Sequence, residues 1–302
     1  MNHGRLRIIA LFLVLPLTLY GTLVVSPYAQ AFYISLTSWS GFTAEKPFVG
    51  LDNFQRLYSD PDFWNALAHN GILLLVVPFV TIVLGIFFAA MLNVGGRAGK
   101  VTGVRGAAFY RRVYFLPHIL PVVITAVLWQ FIYNPQIGLL NSGLKNTGLG
   151  ALARTWLGDP KVALGSLILV MIWAGVGFYV VLFSAAMQSI PKDIFEAADL
   201  DGASRWRTLF HITLPLLRDT VQVAYIYLGI HALDAFALFM VLSPDGGPDQ
   251  STMVVSQYLY ISAFSNGKFG YATAIGVTLC LLSLLLAAVT FRMSRTKNQI
   301  EF

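Results

Sequence analysis

Charge is what this sequence has least of. Of 302 residues, 20 are Lys or Arg and 14 are Asp or Glu, 11% in all, against 57% hydrophobic. Soluble domains carry about 25% charged residues, and a chain of this size cannot cover a water-facing surface with so few. Its surface is expected to face lipid. Cysteine is nearly absent: Cys280 alone excludes an intrachain disulfide and a cysteine-based metal site. The five histidines form no HExxH and no pair four residues apart, so no metal site is expected. No G-x-S-x-G marks a nucleophile for an intramembrane hydrolase. Internal repeats, low-complexity tracts and long polar tails are missing too, and one membrane domain is expected over residues 1–302. The net charge of +6 comes from short basic clusters between apolar runs. That pattern orients membrane helices and does not form a groove for nucleic acid.

What is abundant is the apolar run. A hydrocarbon core of about 30 Å needs about 20 helical residues, and six stretches qualify: Ile8–Val25, Ile72–Leu92, Val113–Ile132, Val162–Met187, Val221–Leu242 and Phe269–Phe291. The fold class is therefore all-α and polytopic, with six spans. Pro117 and Pro121 flank His118 in the third, which predicts a kink. His118 is read as a structural contact and not as a ligand.

Basic residues set the orientation. Arg5 and Arg7, the cluster from Arg97 to Arg112, Lys192 to Arg218, and Arg292 to Lys297 make fourteen on one side, against six on the other. The richer side is cytoplasmic, which puts both termini inside, as six spans require. Ala29-Gln30-Ala31 has the form of a signal cleavage site. The preceding run exceeds a signal core of about 7–15 residues, and its removal would leave five spans. It is read as the first span.

The outward segments 37–69, 134–161 and 243–268 are rich in aromatics or in Gly, Asn and Pro. Two readings stand for them: interfacial aromatics with connecting loops, or a docking surface for an extracellular partner. On the inner side, Gln188 to Pro215 reads as two short helices joined at Gly202. Ser189 is expected to cap the first, with Pro191 and Asp193 in its first turn. Gly202 permits a sharp turn and Ser204 caps the second helix, whose Trp206, Leu209, Phe210 and Thr213 share a face. Periodicity alone supports only an amphipathic loop on the inner membrane surface.

The motifs are more specific. Glu196-Ala197-Ala198, three residues, Gly202, nine residues, Ile212, one residue, Leu214-Pro215 reproduces a complete loop pattern. Val49-Gly50-Leu51-Asp52-Asn53-Phe54, Phe115-Leu116-Pro117, Trp156-Leu157-Gly158-Asp159-Pro160 and Gly246-Gly247-Pro248 accompany it in order. With these motifs the chain resembles the permeases of binding-protein-dependent importers, of the maltose-type carbohydrate uptake family, over nearly its whole length. The Gly95-Gly96-Arg97 segment and the Arg295–Phe302 ending resemble actinobacterial permeases for N-acetylglucosamine or chitobiose.

The resemblance implies a type I importer permease fold in the bacterial plasma membrane. It implies pairing with a second, homologous permease, two cytoplasmic ATPases that hold ATP and Mg, and an extracellular binding protein that delivers a sugar. The chain itself binds no cofactor and is no enzyme. Glu196, Ala197, Ala198, Asp201, Gly202, Ile212, Leu214 and Pro215 are implied to form the ball that sits in an ATPase socket. The family's sugar positions fall here near Ile124, Met171–Gly175 and Leu228–Ala235, where Trp173, His231 and Asp234 have the chemistry to grip a sugar. Asp234 is equally suited to pair with a group on the partner permease, because an unpaired charge in a span is costly.

Two other readings compete with this one. Gly95 to Val101 imitates a phosphate loop, but Val94 occupies the first glycine position and Val101 replaces the metal-binding hydroxyl. A carrier driven by an ion gradient would use His231 and Asp234, three residues apart on one helical face. Six spans without an inverted repeat are few for such carriers, and the Glu196–Pro215 unit would have no role.

Overall fold

A computed structural model describes residues 3–93 and 106–295, with side chains from residue 12 onward except at 291 and 293–295. Arg97, Lys100, Arg105, the 95–101 glycine segment and the chain ending after Arg295 lie outside the described residues. Every extended element is helical: α1 (His3–Tyr20), α2 (Ser26–Ser35), α3 (Asp52–Tyr58), α4 (Pro61–Asn93), α5 (Ala107–Ile119), α6 (Val122–Ile132), α7 (Leu139–Asn146) and α8 (Ala163–Gln188). There follow α9 (Lys192–Leu200), α10 (Arg205–Thr208), α11 (Leu214–Leu216), α12 (Arg218–Leu233), α13 (Phe236–Leu242), α14 (Val255–Tyr260) and α15 (Phe269–Arg295).

Among the described residues, four stretches of helix are long and apolar enough to cross a membrane: Phe12–Ser35, Pro61–Asn93, Ala163–Gln188 and Phe269–Thr290. Two further apolar stretches are broken. The α5–α6 pair bends by 97° and the α12–α13 pair by 46°. Counting each bent pair as one span brings the total to six. The expected kink in the third stretch is thus a full break, at Leu120 and Pro121, where both backbones are extended. Proline at 121 has no N–H to continue α5 and pushes Leu120 out of the helical region. The fifth stretch is also not one rod, since α12 ends at Leu233.

The chain divides into two compact units, one from Met1–Trp64 with Tyr258–Leu282, the other from Asn65–Gln257 with Ser283–Phe302. In the first, buried Asn53 donates to the carbonyls of Ser35 and Thr37, both at 2.8 Å, fixing α3 against the end of α2. Asp60 caps α4, its Oδ1 accepting the Asp62 N–H at 3.0 Å. Its Oδ2 accepts the hydroxyls of Tyr258, at 2.6 Å, and Tyr271. Burial pushes the carboxyl's pKa up, but the two hydroxyls and the N–H groups of Asp62 and Phe63 outweigh it and hold Asp60 below its ordinary value of 3.8. Burial and then the Asp60 carboxylate push the Tyr258 hydroxyl up to about 12.

A depressed carboxylate stabilises the fold above its unfolded-state pKa, and that contribution drains as pH falls through the folded value. Asp60→Asn is therefore expected to lower the thermal unfolding midpoint in detergent at pH 7, by an amount equivalent to about 2 kcal/mol. The gap from the parent chain should close as pH falls below about 4. A gap that persists at acid pH would show that the charge is not what matters.

In the second unit the core forms around Leu73, Val77, Leu167, Val170, Phe183, Leu228 and Phe239. Two glycines let helices approach. A Cβ at Gly85 would stand 3.0 Å from Tyr179, and one at Gly177 would overlap the Tyr114 carbonyl of α5. The α5 and α8 backbones therefore touch, and any side chain at 177 would force them apart. Apolar side chains such as Leu75, Phe79, Leu284 and Leu285 stand outward, as helices in lipid require.

Candidate functional site

The loop after α8 is built by local backbone chemistry. Ser189 does not cap α9: its hydroxyl donates back to the Ala186 carbonyl at 2.8 Å. Pro191 is the residue that starts α9, and Asp193 lies in its first turn. At the far end the Ala203 N–H reaches the Ala198 carbonyl at 3.0 Å and the Gly202 N–H reaches Asp199 at 3.1 Å. This pair of bonds is a Schellman stop, and Gly202 takes the left-handed conformation it needs, φ +68°. The Ser204 Oγ then accepts the Arg207 N–H at 3.4 Å and caps α10. A π turn, Leu209–Thr213, follows.

That turn shifts the helical register, so the face expected from spacing splits. Leu209 packs on the core and Thr213 is buried. Trp206 and Phe210 stand out, 59% and 57% exposed, with their rings stacked at 6.0 Å. Ala198 is buried, and Leu214 packs on the core. Ile212 is half-buried, whereas Glu196, Ala197, Asp201, Gly202 and Pro215 are exposed. Leu200 is 89% exposed. A Cβ at Gly202 would meet nothing within 4 Å. The loop thus presents an acidic, small-residue corner edged by Leu200, Trp206 and Phe210, all open to a partner.

The four residues expected along a pathway lie on separate elements. Ile124 is exposed on α6. Trp173 on α8 meets Trp129 edge to face at 5.4 Å and is partly open. His231 on α12 packs against Tyr227 at 4.8 Å. Asp234 falls beyond the end of α12, so it does not share a helical face with His231 as the spacing predicted. Its N–H reaches the Ile230 carbonyl at 3.0 Å, its own carbonyl accepts from Phe236 at 2.8 Å, and its side chain is exposed at the break. Among the described residues no hydrogen bond or ring contact joins these four. No group of three or more His, Cys, Asp or Glu there is placed to hold a metal.

The residue that sequence reasoning missed is Asn70. It is fully buried on α4, and its Nδ2 donates to the carbonyls of Ala232, at 3.0 Å, and Leu233, at 3.3 Å. Its Oδ1 accepts the Val255 N–H at 2.8 Å. The amide therefore satisfies carbonyls that the break at Asp234 frees and ties them to the loop that leads into α14. His69 joins the same loop at the Met253 carbonyl, 2.8 Å away. The only signal in the sequence is one amide at the edge of an apolar run.

Residues 82–297 match the model of the binding-protein-dependent transport system inner membrane component family. The chain is 43% identical, over 98% of its length and 84% of the relative's, to the diacetylchitobiose uptake system permease protein NgcF of Streptomyces coelicolor. It is 32% identical, over 95% of its length and 93% of the relative's, to the trehalose/maltose transport system permease protein MalF of Thermococcus litoralis. Its fold resembles a chain in the crystal structure of a bacterial ABC transporter involved in the import of alginate. That match has a TM-score of 0.83 at 23% identity and covers 98% of each chain.

Proposed function

The chain belongs to the binding-protein-dependent transport system inner membrane component family, and from that membership we propose how it couples ATP to sugar movement. It is a multi-pass membrane permease, a subunit of an ATP-binding-cassette sugar importer, and is not itself an enzyme. In the proposed assembly it pairs with a second permease of the same kind in the bacterial plasma membrane. Two cytoplasmic ATPases carry the ATP and Mg. An extracellular binding protein hands over the cargo.

The coupling surface is the 188–215 loop. The observation that carries this is the open corner at Gly202: a left-handed turn where an added Cβ would meet nothing within 4 Å among the described residues. Glu196 and Asp201 fix register in an ATPase socket by charge, Ala197 and Gly202 allow close approach, and Ile212, Leu214 and Pro215 carry the motion into α12. Along the pathway, Ile124 and Trp173 offer apolar and aromatic faces to a pyranose ring, and His231 and Asp234 offer hydrogen bonds. We propose an acetylated amino-sugar disaccharide as the cargo, the type named for the Streptomyces coelicolor relative.

The loop must be cytoplasmic for this to work, as the basic asymmetry predicts. With Cys280 replaced, a cysteine at Ser142 should react in intact cells with a membrane-impermeant thiol reagent. One at Ser204 should react only in inverted vesicles. Labelling of Ser204→Cys from outside would remove the loop from any cytoplasmic ATPase. Gly99 on the same inner side lies outside the described residues.

A further inference from the structure

The inner ends of three helices meet at a cation whose described partners are all neutral. Arg111 of α5 donates through Nη2 to Oδ1 of Asn93, the last residue of α4, at 2.8 Å. Gln188, the last residue of α8, joins the same point. Its Nε2 stands 3.0 Å from Asn93 Oδ1. Turned over, its amide oxygen accepts Arg111 Nη1 at 3.2 Å and Nη2 at 2.8 Å. Asn93 is buried and also donates to the Ala89 carbonyl at 2.7 Å. The Arg111 Nε is buried and has no partner among the described residues. Among the described residues no carboxylate reaches the guanidinium.

A half-buried guanidinium held only by amides, with one donor unsatisfied, is not arranged for maximal stability. Neutral acceptors hold it less tightly than a carboxylate would, so the bonds can exchange. Gln188 is three residues from Pro191, where α9 begins. Displacement of the loop therefore pulls on this node directly. Near its middle α5 is pinned to α8, where the Tyr114 carbonyl fills the space beside Gly177. Beyond that contact α5 runs to the break before α6.

We propose that Arg111 is a positioning residue for transport. It acts as a latch that binds the coupling loop to α4 and α5, so that loop motion turns α5 about its contact with α8 and reaches α6. This rests on the loop reading given above. A planar fork is required, because a lysine ammonium cannot hold two acceptors in one plane.

The test uses the complete importer, with both permeases, ATPases and binding protein, in proteoliposomes loaded with ATP. Sugar uptake and ATP hydrolysis are measured together for Arg111→Ala, Arg111→Lys and Gln188→Glu, with Gly202→Trp alongside. Arg111→Ala should keep the ATPases attached and hydrolysing while sugar moved per ATP falls about tenfold. Arg111→Lys should recover only part of that ratio. Gln188→Glu, which supplies a carboxylate, should hold the latch closed and slow uptake and hydrolysis together, severalfold. A parental sugar-to-ATP ratio in Arg111→Ala overturns the latch, as does a loss of ATPase attachment in that variant. If Arg111→Ala does not reach the membrane, Gln188→Glu decides, and parental turnover in it overturns the latch. Parental uptake in Gly202→Trp would sink the loop reading separately, whatever the Arg111 variants do.

Discussion

Gly202→Trp is expected to abolish sugar uptake while the chain still reaches the membrane, and Gly202→Asn to keep most of it. Gly202→Ala should fall between. The order follows from two separable costs. A left-handed residue with a side chain costs about 1–2 kcal/mol, roughly tenfold in an equilibrium. Alanine incurs that cost in full, and asparagine much less because it tolerates this conformation. The second cost is steric, and the described residues do not supply it, since among them a Cβ at 202 meets nothing within 4 Å. A loss at tryptophan far beyond that at alanine, with asparagine tolerated, therefore reports a partner seated against the turn that leaves room only for a small side chain. Glu196→Lys should weaken ATPase attachment more mildly. If all three Gly202 variants transport at the parental rate, the corner is only solvated surface.

Asp234→Asn is expected to lower uptake by about 10- to 100-fold, the equivalent of losing a hydrogen bond to a charged group, about 1.5–3 kcal/mol. The substitution keeps shape and removes charge. Asp234 is exposed at the break between α12 and α13, in an apolar stretch where charge is costly without a use. A sugar ligand there predicts a fall in uptake with the assembled complex intact in detergent and the half-saturating sugar concentration raised. A complex that falls apart would instead assign Asp234 to pairing with the second permease. Unchanged uptake would remove it from both roles.

The two breaks show what a sequence can and cannot reveal about this fold. The stop at Leu120 and Pro121 was legible because proline acts locally, through its missing N–H and its clash with the preceding residue. The stop at Leu233 was not, because Leu233-Asp234-Ala235-Phe236 contains no proline or glycine. That break is sustained by a residue distant in sequence, Asn70, which takes up the Ala232 and Leu233 carbonyls. The same difference divides the inner loop. Gly202 and Ser204 act on their own backbone and were readable. Ser189 has two local options, a cap for α9 or a bond back to α8, and spacing does not choose between them. The split of Trp206 and Phe210 from Leu209 and Thr213 accompanies a π turn that spacing does not encode. The Arg111 node joins residues from three segments, so no local pattern could announce it.

The most direct test of the account is the energy source for uptake of labelled diacetylchitobiose into proteoliposomes. These would contain this chain, its partner permease and the ATPases, with binding protein outside. Uptake is expected to require enclosed ATP and external binding protein and to be indifferent to an imposed proton gradient. Uptake without ATP, driven by the gradient and abolished by Asp234→Asn, would contradict it and make the chain an ion-coupled carrier.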